Sequence, residues 1–279
     1  MTVLVLGGSS QIGHFLLPRL LASGEPVLAL SRRPRTHQDG VEWLRGSLPD
    51  AMPTLPPLSA IISFGPLPPF ADWLRQTSLV NAPRVIATSS MSAESKRESS
   101  VPAEREISRL LRDGEAALAA ACATHGCAWT VLRPTLVYGA GMDKSLTPIA
   151  RRAARLRLFP LPAAGGLRQP VHADDIAQAV IAALERPASA GRIMSIGGGE
   201  RLPAGEMFAR VRRSLSRSTL PLPLPTWLLG AARGLLPRLR GPLSRLNADL
   251  LADNEELQRL LDVHPRPFQP DVSMWAPPA

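Results

Sequence analysis

The chain has 279 residues, 45% of them apolar, and a formal charge of +9. That suffices for a sizeable core in one large domain, or in one domain with a smaller lobe, and is too apolar for a disordered chain. Nearly all the positive charge is arginine, the only lysines being Lys96 and Lys144, and no basic run alternates with stacking aromatics. Dispersed surface arginines are therefore favoured over a nucleic-acid patch.

Short apolar runs alternate with longer amphipathic ones, the pattern of βαβ units and a parallel sheet. Strands are predicted over 2–6, 26–30, 41–44, 60–64, 84–88 and 128–132. The first two flank a helix over 11–22 that ends at Ser23-Gly24. Residues 47–58 carry Pro49, Pro53, Pro56 and Pro57, so the crossover expected there is reduced to turns. A long helix is predicted over 102–124. Beyond Gly141 follow a basic helix over 146–157, a Pro/Gly loop, a short strand near 169–171, a helix over 173–185, a strand over 192–196 and a helix over 203–214. From Thr219 onward prolines break the pattern. The expected fold is α/β, a doubly wound Rossmann parallel sheet with a smaller C-terminal substrate lobe. Residues 1–142 form the dinucleotide-binding part, to which 167–196 returns, and 143–279 form the lobe.

Cys122 and Cys127 cannot build a disulfide framework, and no histidine cluster gives zinc spacing, so no metal is expected. Cys122 falls on the apolar side of its helix, as a buried thiol would. The chain enters its first strand without a basic leader or cleavage site, and no apolar run reaches about 18 residues. A cytoplasmic protein is expected, with membrane association confined to 227–246. That stretch mixes leucines with Arg233, Arg238, Arg240 and Arg245, but Gly230, Gly234, Pro237 and Pro242 break any continuous amphipathic helix. A lid or a subunit contact, as in a homodimer, is favoured there over peripheral contact with an anionic membrane.

The turn Gly7-Gly8-Ser9-Ser10-Gln11-Ile12-Gly13 follows a strand and opens a helix. Such a turn lets the backbone approach a pyrophosphate, which sits at the helix N-terminus against unpaired N–H groups. Gly7 and Gly13 hold the outer positions of a Gly-x-x-Gly-x-x-Gly spacing, and Ser10 replaces the middle glycine. The strand-turn-helix context makes cofactor binding the favoured reading. At the end of the second strand an acidic residue would select NAD. Ser31-Arg32-Arg33 stands there instead, which favours the 2′-phosphate of NADP over solvated loop charges.

With Ala87-Thr88-Ser89-Ser90, Leu132-Arg133-Pro134-Thr135-Leu136-Val137-Tyr138-Gly139 and Val171-His172-Ala173-Asp174-Asp175-Ile176-Ala177, this turn resembles the extended and atypical short-chain dehydrogenase/reductases of the NAD(P)-dependent epimerase/dehydratase type. The resemblance runs to about Gly199. The stretch 246–268 also resembles the tail of nucleotide-sugar members and of a dehydrogenase-like accessory subunit of respiratory complex I. The resemblance implies that Phe64-Gly65 passes near the adenosine ribose, that Ser89 and Pro134 border the cofactor, and that Arg168 grips a substrate diphosphate. It therefore implies an anionic substrate such as a nucleotide sugar.

The departures bear on chemistry. The family's Tyr-x-x-x-Lys pair cannot exist, because Tyr138 is the chain's one tyrosine and Met142 follows it four residues on. Anchored on Gly114-Glu115, the pair falls at Ile107 and Leu111, an aliphatic face for which packing on the sheet is a sufficient account, though a partly open cleft with an aliphatic wall is favoured. Ser47-Leu48 replaces an adenine-contacting Asp-Leu, and Leu136 a substrate-binding asparagine. Ser90 and Ser92 lie where the family keeps a hydroxyl against the reacting carbonyl. Glu104, Ser108, Arg112 and Glu115 form a polar stripe, read foremost as the solvent side of its helix, with Glu104 or Glu115 as candidate acid or base. Lys96 is a further candidate. His172 is read as hydrogen-bonded between strand and helix rather than as a base. Two functions stay open: an oxidoreductase- or epimerase-like enzyme with a non-standard proton donor, and a redox-inactive NADP(H) sensor or scaffold.

Overall fold

A computed structural model describes residues 2–35, 40–225 and 247–276. Strand β1 (Thr2–Leu6) is apolar and almost wholly buried, as befits a strand covered on both faces. Around it β2 (Val27–Ser31), β3 (Val41–Arg45), β4 (Leu58–Ser63), β5 (Arg84–Thr88), β6 (Trp129–Pro134) and a late strand, Arg192–Ile196, form one parallel sheet. The late strand lies outside β6, and the order then runs β6-β5-β4-β1-β2-β3. The order reverses between β1 and β4, which makes a doubly wound Rossmann sheet with its crevice at that switch point.

Helix α1 (Gln11–Ala22) packs on one face, and α2 (Leu67–Gln76) and α4 (Pro102–Thr124) pack together on the other. A short helix, α3 (Ser92–Ser95), precedes α4. Gly114 of α4 faces α2 closely enough that a Cβ there would lie 3.0 Å from Leu67 Cβ. No helix spans the proline-rich 47–57, as expected. Helix α2 was not predicted, although Pro68 and Pro69 suit a helix start. They sit in its first turn, where a missing N–H costs nothing.

Beyond β6 come β7 (Val137–Tyr138), α5 (Leu146–Leu156), β8 (Leu158–Pro162), β9 (Leu167–Arg168), β10 (Val171–His172) and α6 (Ala173–Glu185), which packs on α1. The late strand is β11, followed by β12 (Leu202–Pro203), α7 (Ala204–Arg213), β13 (Leu220–Leu224) and α8 (Glu255–Leu261). The single strand expected near 169–171 is thus two, β9 pairing β12 and β10 pairing β7. The parallel ribbon β8–β13 was also missed, for its prolines. Leu220 N donates to Arg157 O (2.8 Å) and Ala163 N to Leu224 O (2.9 Å). That phase puts Pro160, Pro162, Pro221 and Pro223 where an N–H would point away from the partner, so the ladder loses nothing. Among the described residues no helix is long and apolar enough to cross a membrane. Residues 227–246, read above as a lid, subunit or membrane contact, lie outside the described part.

Candidate functional site

At the end of β1 the chain turns at Gly7 with φ +83°, and Ser10 N donates to Gly7 O (2.8 Å). Ser10 Oγ then caps α1 by accepting from Gly13 N (3.2 Å), a sufficient reason for serine at the middle position. The first N–H groups of the helix, at Gln11 and Ile12, have no intrahelical acceptor. A Cβ on Gly13 would overlap Gly8 O, so only glycine lets the helix close on the strand. A Cβ on Gly7 would lie 3.2 Å from Phe64 Cβ. A side chain there would press on the end of β4, and the positive φ itself favours glycine. Gly8 is buried against Ala29 and Trp43, and Ser9 is exposed.

The other expected cofactor residues lie at the same carboxyl edge of the sheet. Phe64 N donates to Leu6 O (2.9 Å) and Gly65 N to Ser63 Oγ (3.4 Å). Arg32 and Arg33 are exposed beyond β2, where Ser31 Oγ accepts from Arg33 N (3.3 Å). Ser89 N donates to Leu132 O (2.8 Å) and Met91 N to Pro134 O (2.9 Å), binding the ends of β5 and β6 together. Ser89 Oγ is buried with no hydrogen-bond partner among the described residues. A glycine cradle that no Cβ can enter, with a free helix N-terminus beside it, fits a dinucleotide's pyrophosphate.

Helix α4 buries the polar stripe that was read foremost as its solvent side. Ile107 is 42% exposed and Leu111 half-buried, whereas Glu104, Ser108 and Glu115 are buried. The Ile107–Leu111 face is therefore partly open, and the polar stripe is the inward side. Polar partners on the opposing elements cause this. Arg133 of β6 donates to both carboxylate oxygens of Glu115, one contact at 2.8 Å, and to Glu94 (2.7 Å). The hydrogen bond to Glu115 raises the Arg133 pKa above its ordinary value. Ser108 Oγ donates to Ala93 O (2.5 Å). Glu115 is thus tied to β6 by a bidentate guanidinium contact.

Glu104 differs. Its carboxylate accepts from Ser99 Oγ (2.7 Å) and borders a cavity of about 1030 Å³. Ser92, Lys96, Lys144 and Arg168 line the same cavity, with Leu136 and, from α7, Met207 and Phe208. Arg168 is 6% exposed, and its Nη1 donates to Leu167 O (2.8 Å) and Ala248 O (2.6 Å), which aims the guanidinium from β9. Ser90 is not in the lining. Its Oγ accepts from Ser92 N (3.1 Å) and shapes the turn that presents Ser92. Asp143, which the sequence reading passed over, accepts from Leu146 N (2.6 Å) and Ser145 N (2.9 Å) and so fixes the start of α5 beside Lys144. Its signal was an acceptor just before a helix.

Tyr138 is fully buried, edge-on to His172 and Phe268, and its hydroxyl meets no hydrogen-bond partner among the described residues. Burial drives its pKa well up, so it is a core residue. His172 Nδ1 accepts from Asp174 N (3.1 Å) and caps α6. Burial, then the nearby Arg266 guanidinium, pushes His172 down to about 4. The capping role matches the reading preferred from sequence. Cys122 is buried and pushed by burial up to about 12. No metal-competent cluster of His, Cys, Asp or Glu occurs among the described residues.

Residues 111–197 match the NAD dependent epimerase/dehydratase family. A UDP-glucose 4-epimerase of Vibrio cholerae is 25% identical over 122 residues, or 40% of this chain and 37% of the epimerase's own length. Among solved structures, MoeE5 in complex with UDP-glucuronic acid and NAD superposes with a TM-score of 0.71 at 18% identity, covering 96% of this chain and 94% of that one. A UDP-glucuronic acid 4-epimerase from Bacillus cereus, in complex with UDP-glucuronic acid and NAD, gives 0.69 at 14% identity, covering 95% and 94%. A Thermotoga maritima UDP-glucose 4-epimerase with UDP-glucose gives 0.68 at 15%, again covering 95% and 94%. At such identities the structural likeness establishes the fold, and the resemblance read from the motifs is borne out over 111–197 by the family match.

Proposed function

We propose that this chain binds a nicotinamide dinucleotide and acts on a nucleotide sugar or similarly anionic metabolite, with Glu104 in place of the absent phenol. One observation carries the reading: Arg168 and Glu104, each less than a tenth exposed, line one cavity with Ser92 and both lysines. In this reading 143–279 contribute the substrate lobe and 1–142, with 167–196, the cofactor part. The turn 7–13 holds the pyrophosphate, and Ser89 and Pro134 border the nicotinamide. When bound, the nicotinamide supplies hydride exchange. Arg168 clamps the substrate's diphosphate, Ser92 donates a hydrogen bond to the reacting oxygen, and Glu104 takes the hydroxyl proton and returns it. Two of the related structures, MoeE5 and the Bacillus cereus epimerase, hold NAD. Arg32 and Arg33, with no carboxylate at the end of β2, extend the proposal to NADP.

The test is to incubate the protein with NAD(H) or NADP(H) and a panel of UDP-sugars, following nicotinamide absorbance and separating the sugars by chromatography. Calorimetry of NADH against NADPH, with Arg32→Ala, decides the cofactor form. The enzyme reading expects turnover that falls on the order of 100-fold in Glu104→Gln, with dinucleotide binding retained. Tight dinucleotide binding without conversion of any sugar would favour the redox-inactive sensor or scaffold, the reading that the missing tyrosine-lysine pair supports.

A further inference from the structure

Four of the large apolar side chains exposed among the described residues gather at one place: Leu156 (53%), Leu158 (46%), Leu220 (69%) and Leu222 (47%). Leu158 and Leu220 are register partners in the β8–β13 ribbon, and Leu222 follows on the same face, while Phe159 turns into the core. Exposed Arg152, Arg155, Arg157 and Arg217 surround them. The two chain stretches that meet here are free of acid over long distances: no Asp or Glu occurs over 144–173 or over 207–248. Leucines framed by arginine, on stretches of chain that carry no acid, differ from an ordinary mixed surface.

We infer that this ribbon is a docking face for an anionic lipid surface. Its chemistry selects among occupants. Prolines at 160, 162, 221 and 223 remove the outward N–H groups, so neither edge can add a strand from a second copy. A second copy presenting the same face would also set arginine against arginine. Nucleic acid would use the arginines, but not four leucines where stacking aromatics would be wanted. A bilayer interface takes both, the leucines entering the acyl boundary and the guanidiniums pairing with phosphate. Helices α5 and α7 each border the cavity through one part, Leu146 and Ile149 or Met207 and Phe208, and pack against β8 as well. The lipid-facing ribbon and the cavity thus share two supports.

The experiment is flotation of the full chain with vesicles of phosphatidylcholine alone and of phosphatidylcholine with phosphatidylglycerol at about 7:3, at low and high salt. Binding is expected to the anionic vesicles only, to weaken with salt, and to fall about tenfold or more in Leu220→Glu/Leu222→Glu. Both positions are exposed, so melting temperature should not move. Arg155→Glu/Arg217→Glu is a second variant expected to lose binding without touching the apolar face. Wild-type protein indifferent to anionic vesicles would overturn the inference. So would leucine and arginine variants that bind like wild type. Two other results would hand the face to a different occupant: self-association that the leucine variant abolishes, or wild-type binding to duplex DNA in preference to vesicles.

Discussion

The buried ring of His172 makes a pH experiment that isolates one residue. An ordinary histidine titrates near 6.5, whereas burial and Arg266 hold this one at about 4. Between those values the unfolded chain binds a proton that the folded chain refuses, so stability falls as the solution is acidified from 6.5 toward 4. The full difference is worth about 3 kcal/mol, and about 2 kcal/mol of it is spent by pH 5. For a chain of this size that corresponds to roughly 4–8 °C in melting temperature. The perturbation is His172→Asn, because an asparagine oxygen can still accept from Asp174 N and cap α6. Losing the ring contacts with Tyr138 and Phe15 lowers stability at every pH alike. The informative quantity is therefore slope, read from urea unfolding at several values between pH 7.5 and 5. Wild type should lose about 2 kcal/mol more than the variant over that range. Parallel stability curves would show that the ring is already accessible to protons in the native state, and the reasoning from burial would fail.

Three further expectations follow from the same geometry. Ile107→Ala should cost less than about 1 kcal/mol, where a buried isoleucine would cost roughly 2–5; thermal melts decide, and a large loss would mean that the Ile107–Leu111 face is packed on the sheet. Gly13→Ala should destabilise the protein and abolish NADPH binding by calorimetry, since its Cβ overlaps Gly8 O; a folded variant with normal affinity would remove the turn from the cofactor site. Arg133→Met should cost about 3–5 kcal/mol by stranding the buried Glu115 carboxylate, and Glu115→Gln in the same chain should restore much of it. Chemical denaturation of the two proteins measures the difference, and equal losses would show that the pair contributes nothing.

The sheet was legible because β1, β2 and β5 are uninterrupted apolar runs and α1 and α4 have clear starts. Their bounds follow from local chemistry alone. What sequence could not show was which side of α4 faces inward. A helical period tells which residues share a face, but Arg133 and the Ala93 carbonyl, both distant in sequence, make the polar face the buried one. Proline is compatible with both elements that were not predicted, for different reasons. At Pro68 and Pro69 it occupies a helix's first turn, and along β8 and β13 it falls on the unpaired side of a ladder. The cavity was only partly readable. Glu104, Ser92 and Arg168 were each suspected singly, but nothing in their spacing said that they meet, or that Asp143 would bring Lys144 to the same wall.

That both lysines line the cavity has a practical consequence for chemistry at the bench. In a chain with 32 basic residues only these two carry a side-chain primary amine. Amine-directed reagents, which label most proteins all over, would here mark the cavity and the N-terminus alone. Reductive methylation with carbon-13 formaldehyde would install three observable signals, two of them at the wall that also holds Glu104 and Arg168. Candidate substrates could then be screened by watching those two resonances, with no need for turnover or for any prior idea of the reaction.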